Sequence, residues 1–457
     1  MGFLPGGLPW RATRIAGGLL VLAVLAFAQS AQAQLPRLPT VPGVGGLPGT
    51  VTDTVGRVEN TVGNVAGQVD RLADVRRLRV DELLRTQRAS VERDPAGQPI
   101  LRAEVVSFDP TEAALDRARA AGFQVARERV LEGLDSRVVV LRAPEGMTTR
   151  RALTRLRALD PQGAYDYNHL YLDSGVVASG SDTGSVAAAA PAGPAGSFKV
   201  GLVDGGVDIS HPVFKATSVH QYGCDGKSVP TAHGTAVASL LVGKADPFTG
   251  AAPGAELFAA DVYCGLGNGG AADAVVDAIA WIARQHVAVI NVSLVGPKNV
   301  LLENVVRLVI ARGHILVAAV GNDGPAAPPL YPASYPGVVG VTGVDAHRKV
   351  LVEACRGSQV KFAAPGADMA AAELSPTFAV VRGTSFAAPI VAGLLAASLH
   401  EPNKEAAEKA IETLAGQAID LGSRGVDKTY GAGLVGDFVR SEAALALASA
   451  SGGSRRH

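Results

Sequence analysis

The sequence predicts an α/β protein with a doubly wound, mainly parallel sheet, preceded by a small α+β module of ferredoxin-like order. Three observations predict it. Beyond residue 198, short strands rich in β-branched residues and apolar on both faces alternate with helical stretches, as in a parallel sheet covered on both sides. Residues 101–173 read strand–helix–strand–strand–helix–strand. Between these regions, residues 174–197 are rich in Gly, Ala, Ser and Pro, and no Lys occurs before Lys199. A flexible linker at a domain boundary explains both features.

Taken from the N-terminus, Arg11 and Arg14 precede an apolar run from Leu19 to Phe27 and then Ala31-Gln32-Ala33. That order describes a secretory signal peptide over residues 1–33, cleaved after Ala33. The run is too short to cross about 30 Å of hydrocarbon, and no later stretch is long and apolar enough to do so. Export to the periplasm or the medium is therefore expected. Residues 34–100 begin with a Pro/Gly-rich lead. Val51, Val55, Val58, Val62, Val65, Val69 and Leu72 then form a heptad stripe. Gly56, Gly63 and Gly67 weaken any isolated helix there by about 1 kcal/mol each. An oligomerising helix over residues 51–72 and a loosely helical spacer both fit.

In the module, Ala103–Phe108, Phe123–Arg129, Ser136–Arg142 and Ala164–Leu172 read as strands, and Thr111–Ala121 and Thr148–Leu159 as helices. Thr148 or Thr149 caps the second helix and Pro161 limits it. In the larger domain, residues 198–447, the strands are Val200–Val203, Leu257–Val262, Val287–Leu294, Ile315–Val320 and Val338–Val344. Helical stretches lie around Ala236–Val242, Ala272–Arg284 and Leu301–Ala311, and residues 448–457 form a disordered tail. Lys+Arg and Asp+Glu both number 42, so the net charge is zero and nothing suggests nucleic acid as a partner. The chain has three cysteines, Cys224, Cys264 and Cys355. In an oxidising compartment an odd count implies one disulfide and one thiol, and no Cys or His spacing suggests a metal site.

Three segments place a chemically competent residue at a strand end or a helix start. Asp204 ends Val200-Gly-Leu-Val-Asp, His233 opens Thr231-Ala-His-Gly-Thr, and Ser385 opens Arg382-Gly-Thr-Ser-Phe-Ala-Ala-Pro389. Such positions are where open α/β sheets build sites, and a helix N-terminus favours a developing oxyanion. A Ser hydroxyl needs a neighbouring base to attack, His serves as that base near neutral pH, and a buried carboxylate fixes the imidazole tautomer.

These motifs, in the order Asp…His…Ser, resemble the subtilisin-like peptidases. The resemblance covers about Lys199 to Leu445 and implies a serine endopeptidase with Asp204, His233 and Ser385 as its triad. It implies further that Asn322, in Leu316-Val-Ala-Ala-Val-Gly-Asn-Asp-Gly324, donates to the oxyanion. Ser293, Leu294, Val295 and Gly296 would form one substrate-binding strand, Asn268, Gly269, Gly270 and Ala271 the other, and Ala319, Val320 and Gly321 the pocket floor. Cys264 precedes the second of these strands and Cys224 lies in the loop leading to His233, so a bond between them is expected, with Cys355 free. Residues 101–173 occupy the place of an inhibitory and chaperoning propeptide; an ordinary accessory domain is the alternative.

The sequence also departs from the family pattern. Val295 stands where Gly is usual, which narrows the pocket for the residue before the cut and favours small apolar residues there. Phe386 replaces a Met, and Gly205 replaces the Ser or Thr that follows the catalytic Asp. Val213 stands where many members carry a calcium ligand, and the loop Lys244–Gly250 is short, so no metal is expected at the usual calcium site and no cofactor elsewhere. Polypeptides and the chain's own propeptide are the expected partners. Two other classes of function compete: a catalytically silent peptide-binding protein, and a scaffold built on residues 51–72.

Overall fold

A computed structural model describes residues 75–173, 175–177, 198–265, 269–374 and 376–440, all within one compact unit. The expected signal peptide, the Val heptad, most of the linker, Asn268 and the C-terminal tail lie outside the described residues. Among the described residues, no helix is long and apolar enough to cross a membrane.

The N-terminal part runs α1 (Val75–Thr86), β1 (Val91–Arg93), β2 (Pro99–Phe108), α2 (Glu112–Ala120), β3 (Gln124–Leu131), β4 (Ser136–Arg142), α3 (Thr149–Leu159) and β5 (Ala164–Asp173). Strands β3-β4-β2-β5 form an antiparallel sheet in that order, with β1 added along the start of β2. Thr111 and Thr148 cap α2 and α3 through their side chains. Leu115, Leu153 and Leu156 from the helices meet Val105, Val139 and Leu141 from the sheet in one core. The observed elements follow the expected order, with β2 starting at Pro99. Helix α1 and strand β1 fall in the segment expected to be only a lead and spacer.

The larger part begins with β6 (Val176–Val177), which belongs to the expected flexible linker yet is a paired strand. There follow β7 (Lys199–Asp204), β8 (Val219–Tyr222), α4 (Ala232–Val242), the β9–β10 hairpin (Lys244–Ala245 and Phe248–Thr249) and β11 (Glu256–Asp261). Next come β12 (Gly270–Ala271), α5 (Ala272–Arg284), β13 (Val289–Val292), β14 (Leu294–Val295), α6 (Val300–Ala311), β15 (Ile315–Ala319), β16 (Val339–Val344) and β17 (Val360–Pro365). The last elements are β18 (Ala367–Ala372), β19 (Phe378–Arg382), α7 (Thr384–Ala396) and α8 (Lys404–Gln417).

Seven strands make a sheet in the order β17-β16-β15-β13-β7-β11-β8, parallel throughout. Strand alternation sorts its residues between two cores. Ile315, Val317 and Ala319 of β15 face α4 and α7, whereas Leu316 and Ala318 face α5 and α6. Because the strands are parallel, β7, β13 and β15 end at one edge, and the loops after them converge there.

β5 does more than close the first sheet. Its last residues pair antiparallel with β12 (Tyr171 opposite Gly270) and with β14 (Asp173 opposite Leu294). It also reaches the starts of two helices, α5, which has no side-chain cap of its own, and α6, which Asn299 caps. Ala271 cannot cap α5 with a side chain, and Asn168 Oδ1 accepts from the N–H of Asp273 at 3.3 Å. Asp166 likewise accepts from the N–H of Val300 at the start of α6. Asn168 Nδ2 donates to both Glu104 (2.9 Å) and Asp273 (2.8 Å), carboxylates that Arg127 also bridges.

Asn168→Ala should therefore strand buried partners on both sides of this junction. The expected cost is about 1–3 kcal/mol, or roughly 2–4 °C per kcal/mol in the melting temperature of the uncut chain. An unchanged melting temperature by calorimetry would contradict this role.

Candidate active site

Asp204 is the last residue of β7 and has no solvent exposure. The N–H of Gly205 donates to its Oδ1 at 2.7 Å, and His233 Nδ1 lies 2.9 and 3.1 Å from the two carboxylate oxygens. His233 is the second residue of α4, whose N-cap Thr231 accepts from the N–H of Gly234. A side chain on Gly205 would overlap Thr231. Absence of a side chain after Asp204 thus lets β7 meet α4, and the backbone N–H serves the carboxylate directly. His233 Nε2 reaches Ser385 Oγ at 2.9 Å. Ser385 is the second residue of α7, fully buried, and Phe386 packs against the imidazole with ring centroids 5.2 Å apart. With Nδ1–H held by the carboxylate, Nε2 is the acceptor that faces the hydroxyl.

Neighbouring groups hold the start of α7 in place. Asn322 Oδ1 accepts from the N–H of Thr384 at 3.2 Å, which commits the carboxamide oxygen and leaves its amide hydrogens as donors. Thr384 Oγ1 accepts from Gly321. Ser293 Oγ donates to the carbonyl of Ser385 and accepts from Asn291 Nδ2, both at 2.9 Å. The side chain of Ser293 therefore fixes the helix carrying Ser385, and only its backbone remains for an extended partner. Asn291 carries no distinguishing sequence signal beyond lying two residues before Ser293 on an apolar strand.

The two segments expected to bind substrate lie, over their described residues, on either side of β5. Gly269 and Gly270 abut Tyr171 and Leu172, while Leu294, Val295 and Gly296 lie along Leu172, Asp173 and Tyr171. The Tyr171 ring is fully buried against Gly296, and its O–H donates to the carbonyl of Pro297 at 2.8 Å. Beyond Asp173 the chain passes directly over the nucleophile. A methyl group at Gly175 would overlap Ser385 Oγ and the Phe386 ring, and Val176 and Val177 then pair with Arg382 and Val381. Val295, expected to narrow the pocket beside the cut, lies opposite Leu172 of β5. It is fully buried in one core with Ala318, Val320, Leu330 and Cys355, and Leu330 fills the space beside Gly321. Ala319, Val320 and Gly321 are all buried.

Cys224 and Cys264 are bonded, with Cα atoms 5.0 Å apart, and Cys355 is a buried thiol. Burial pushes the Cys355 thiol up to about 12, which keeps it protonated and unreactive. Among the described residues, the only His/Cys/Asp/Glu group close enough to hold a metal is Cys224, Asp261 and Cys264, and the disulfide uses both of its sulfurs. The residues around Val213, where the family resemblance would place a calcium ligand, do not fit that ion. Val213 is fully buried and offers no side-chain oxygen, and His211 is engaged by the N–H of Val213 and by the carbonyl of Thr377.

A carboxylate–imidazole–hydroxyl line at the carboxyl edge of a parallel α/β sheet defines a serine hydrolase. Comparison with known proteins makes the assignment particular. Residues 196–433 match the subtilase family. Subtilisin DY from Bacillus licheniformis is 33% identical over 251 residues, spanning 52% of this chain and 89% of that protein. Subtilisin E from Bacillus subtilis (strain 168) is 31% identical over 214 residues, 44% of this chain and 55% of that protein. The crystal structure of fervidolysin from Fervidobacterium pennivorans, described as a keratinolytic enzyme related to subtilisin, superposes with a TM-score of 0.62 at 21% identity. That match covers 78% of this chain and 62% of fervidolysin, and it shows the fold. The chain belongs to the subtilase family of serine peptidases.

The apolar burial of Val213 predicts that EDTA will shift the melting temperature by less than about 2 °C. A larger fall, reversed by adding calcium, would place an ion elsewhere.

Proposed function

We propose that this chain is an exported serine endopeptidase, made as a precursor that its own N-terminal module inhibits. One observation carries the reading: the chain emerging from β5 crosses Ser385 at Gly175 while Ser385 is hydrogen-bonded through His233 to Asp204. In the reaction, Ser385 Oγ attacks the carbonyl carbon of the peptide bond as His233 Nε2 takes its proton. Asp204 stabilises the imidazolium, and the amide of Asn322 donates to the oxyanion. The imidazolium returns the proton to the leaving amine, and water then hydrolyses the acyl-enzyme by the same route in reverse.

Substrates are polypeptides in extended form, added between the edges that β5 now occupies. Gly175 lies against Ser385 Oγ, and self-cutting is accordingly assigned to the bond that joins it to Ser174 in the sequence. Occupation of the cleft by β5 supports the inhibitory role, as do the helix caps that Asp166 and Asn168 supply. Helix α1 adds two ties at the cleft, Arg79 to Asp173 and Arg76 to Asp323, the residue after Asn322. The Arg11-to-Ala33 pattern and the Cys224–Cys264 bond support export to an oxidising compartment.

A fluorophosphonate should label the processed protein at Ser385. Ser385→Ala, His233→Ala and Asp204→Ala should each lower peptide turnover by about 10⁴–10⁶-fold, since the three act as a unit. Absence of both labelling and turnover would instead favour a catalytically silent peptide-binding protein. Close packing of Val295, Val320 and Leu330 further predicts a shallow pocket for the residue before the cut. Peptides with Ala at that position should exceed those with Phe in kcat/KM by about tenfold. Equal or better cutting of the Phe peptide would overturn this.

A further inference from the structure

A cavity of about 550 Å³ beside His233 is lined by Asp173, Thr231, Tyr263 and Arg79. Asp173 stands two residues before Gly175, so its side chain marks the position second before the bond to be cut. In the uncut chain Arg79 is its ion partner, but Arg79 belongs to the module that leaves. The polar group that stays with the peptidase is Tyr263. Its ring is about nine-tenths buried, at 9% exposure, and its hydroxyl has no hydrogen-bond partner among the described residues. A buried hydroxyl left unpaired is costly, and native proteins rarely keep one without a use.

Tyr263 is also held rigidly. Asp261 Oδ1 accepts from the N–H groups of Tyr263 and Cys264, both at 2.9 Å. Cys264 is in turn bonded to Cys224. A stapled loop that places Tyr263 in the cleft wall with its hydroxyl unspent is the arrangement a selective subsite requires. Burial, with the carboxylate of Asp204 behind it, holds the phenol well above its ordinary range, so the group is a donor throughout neutral pH.

Resting on the peptidase reading above, we propose that Tyr263 is a specificity-determining residue for the side chain two positions before the cut, donating its O–H to an acceptor of Asn or Asp size. The neutral carboxamide is the better separate substrate. An Asp there would face the buried Asp204 without Arg79 to neutralise it.

Leu, Asn and Asp have nearly the same shape, so peptides Tyr-Leu-x-Ser-Gly-Val with these three residues at x isolate polarity. With the processed enzyme, kcat/KM for Asn should exceed that for Leu by about tenfold, with Asp below Asn. In Tyr263→Phe the Asn-to-Leu ratio should fall to about one or lower. Leu matching Asn in the wild type, or an unchanged ratio in Tyr263→Phe, overturns the assignment. An enzyme labelled at Ser385 that shows either result loses only this subsite. Absence of both labelling and cutting would remove the peptidase reading and this inference with it.

Discussion

A carboxylate without solvent contact must be satisfied from inside the protein, and Asp204 imposes that requirement on everything around it. The N–H of Gly205 and the ring of His233 meet the need. Each in turn constrains its surroundings. Gly205 must lack a side chain for Thr231 to approach and cap α4, and the cap fixes the first turn on which His233 sits. Once Nδ1–H is committed to Asp204, Nε2 can only accept, and Ser385 is the donor at 2.9 Å. Ser293 and Asn322 then fix the start of α7 so that this distance holds. The parallel sheet brings the three strand ends close enough for one charge to organise them.

The N-terminal module is joined to this arrangement by polar as much as by apolar contact. Arg127 and Arg129 meet Asp273 and Asp277 on α5, and Asn168 lies buried between Glu104 and Asp273. Removing the module would uncover these carboxylates, leave α5 without a side-chain cap and free the first N–H of α6, an unfavourable change unless water replaces the lost partners. The structure therefore couples occupation of the cleft to the integrity of α5 and α6.

Much of this was readable from residues alone. The four strands and two helices over 101–173 announce themselves through alternating apolar residues, Thr caps and Pro161. Asp204, His233 and Ser385 stand out because each combines a reactive side chain with a strand end or helix start and a nearby Gly. Other features resisted reading for physical reasons. Helix α1, Val-Arg-Arg-Leu-Arg-Val-Asp-Glu-Leu-Leu-Arg-Thr, buries little beyond Val80 and Leu83 against Leu172, so it lacks a broad apolar stripe. Strand β18, Ala-Asp-Met-Ala-Ala-Ala, carries little β propensity and exists by pairing with β19. Strand β6 is two residues inside a run of linker composition, and its partner lies about two hundred residues away. Val295 was legible as bulky but not as one member of a packed group with Leu330 and Cys355. Tyr263 lines a cavity with Arg79, a neighbour that no local pattern reveals, although the adjoining Cys224–Cys264 bond was expected.

The central proposal is that Asp204, His233 and Ser385 act as one unit to cut the chain at the bond entering Gly175. The direct measurement is intact mass and N-terminal sequencing of the full chain expressed with an active and with a Ser385→Ala site. The account predicts that the active protein's catalytic fragment begins at Gly175 and that the Ser385→Ala chain stays uncut at that bond. A Ser385→Ala chain cut there equally well, or an active chain processed only elsewhere, would contradict it.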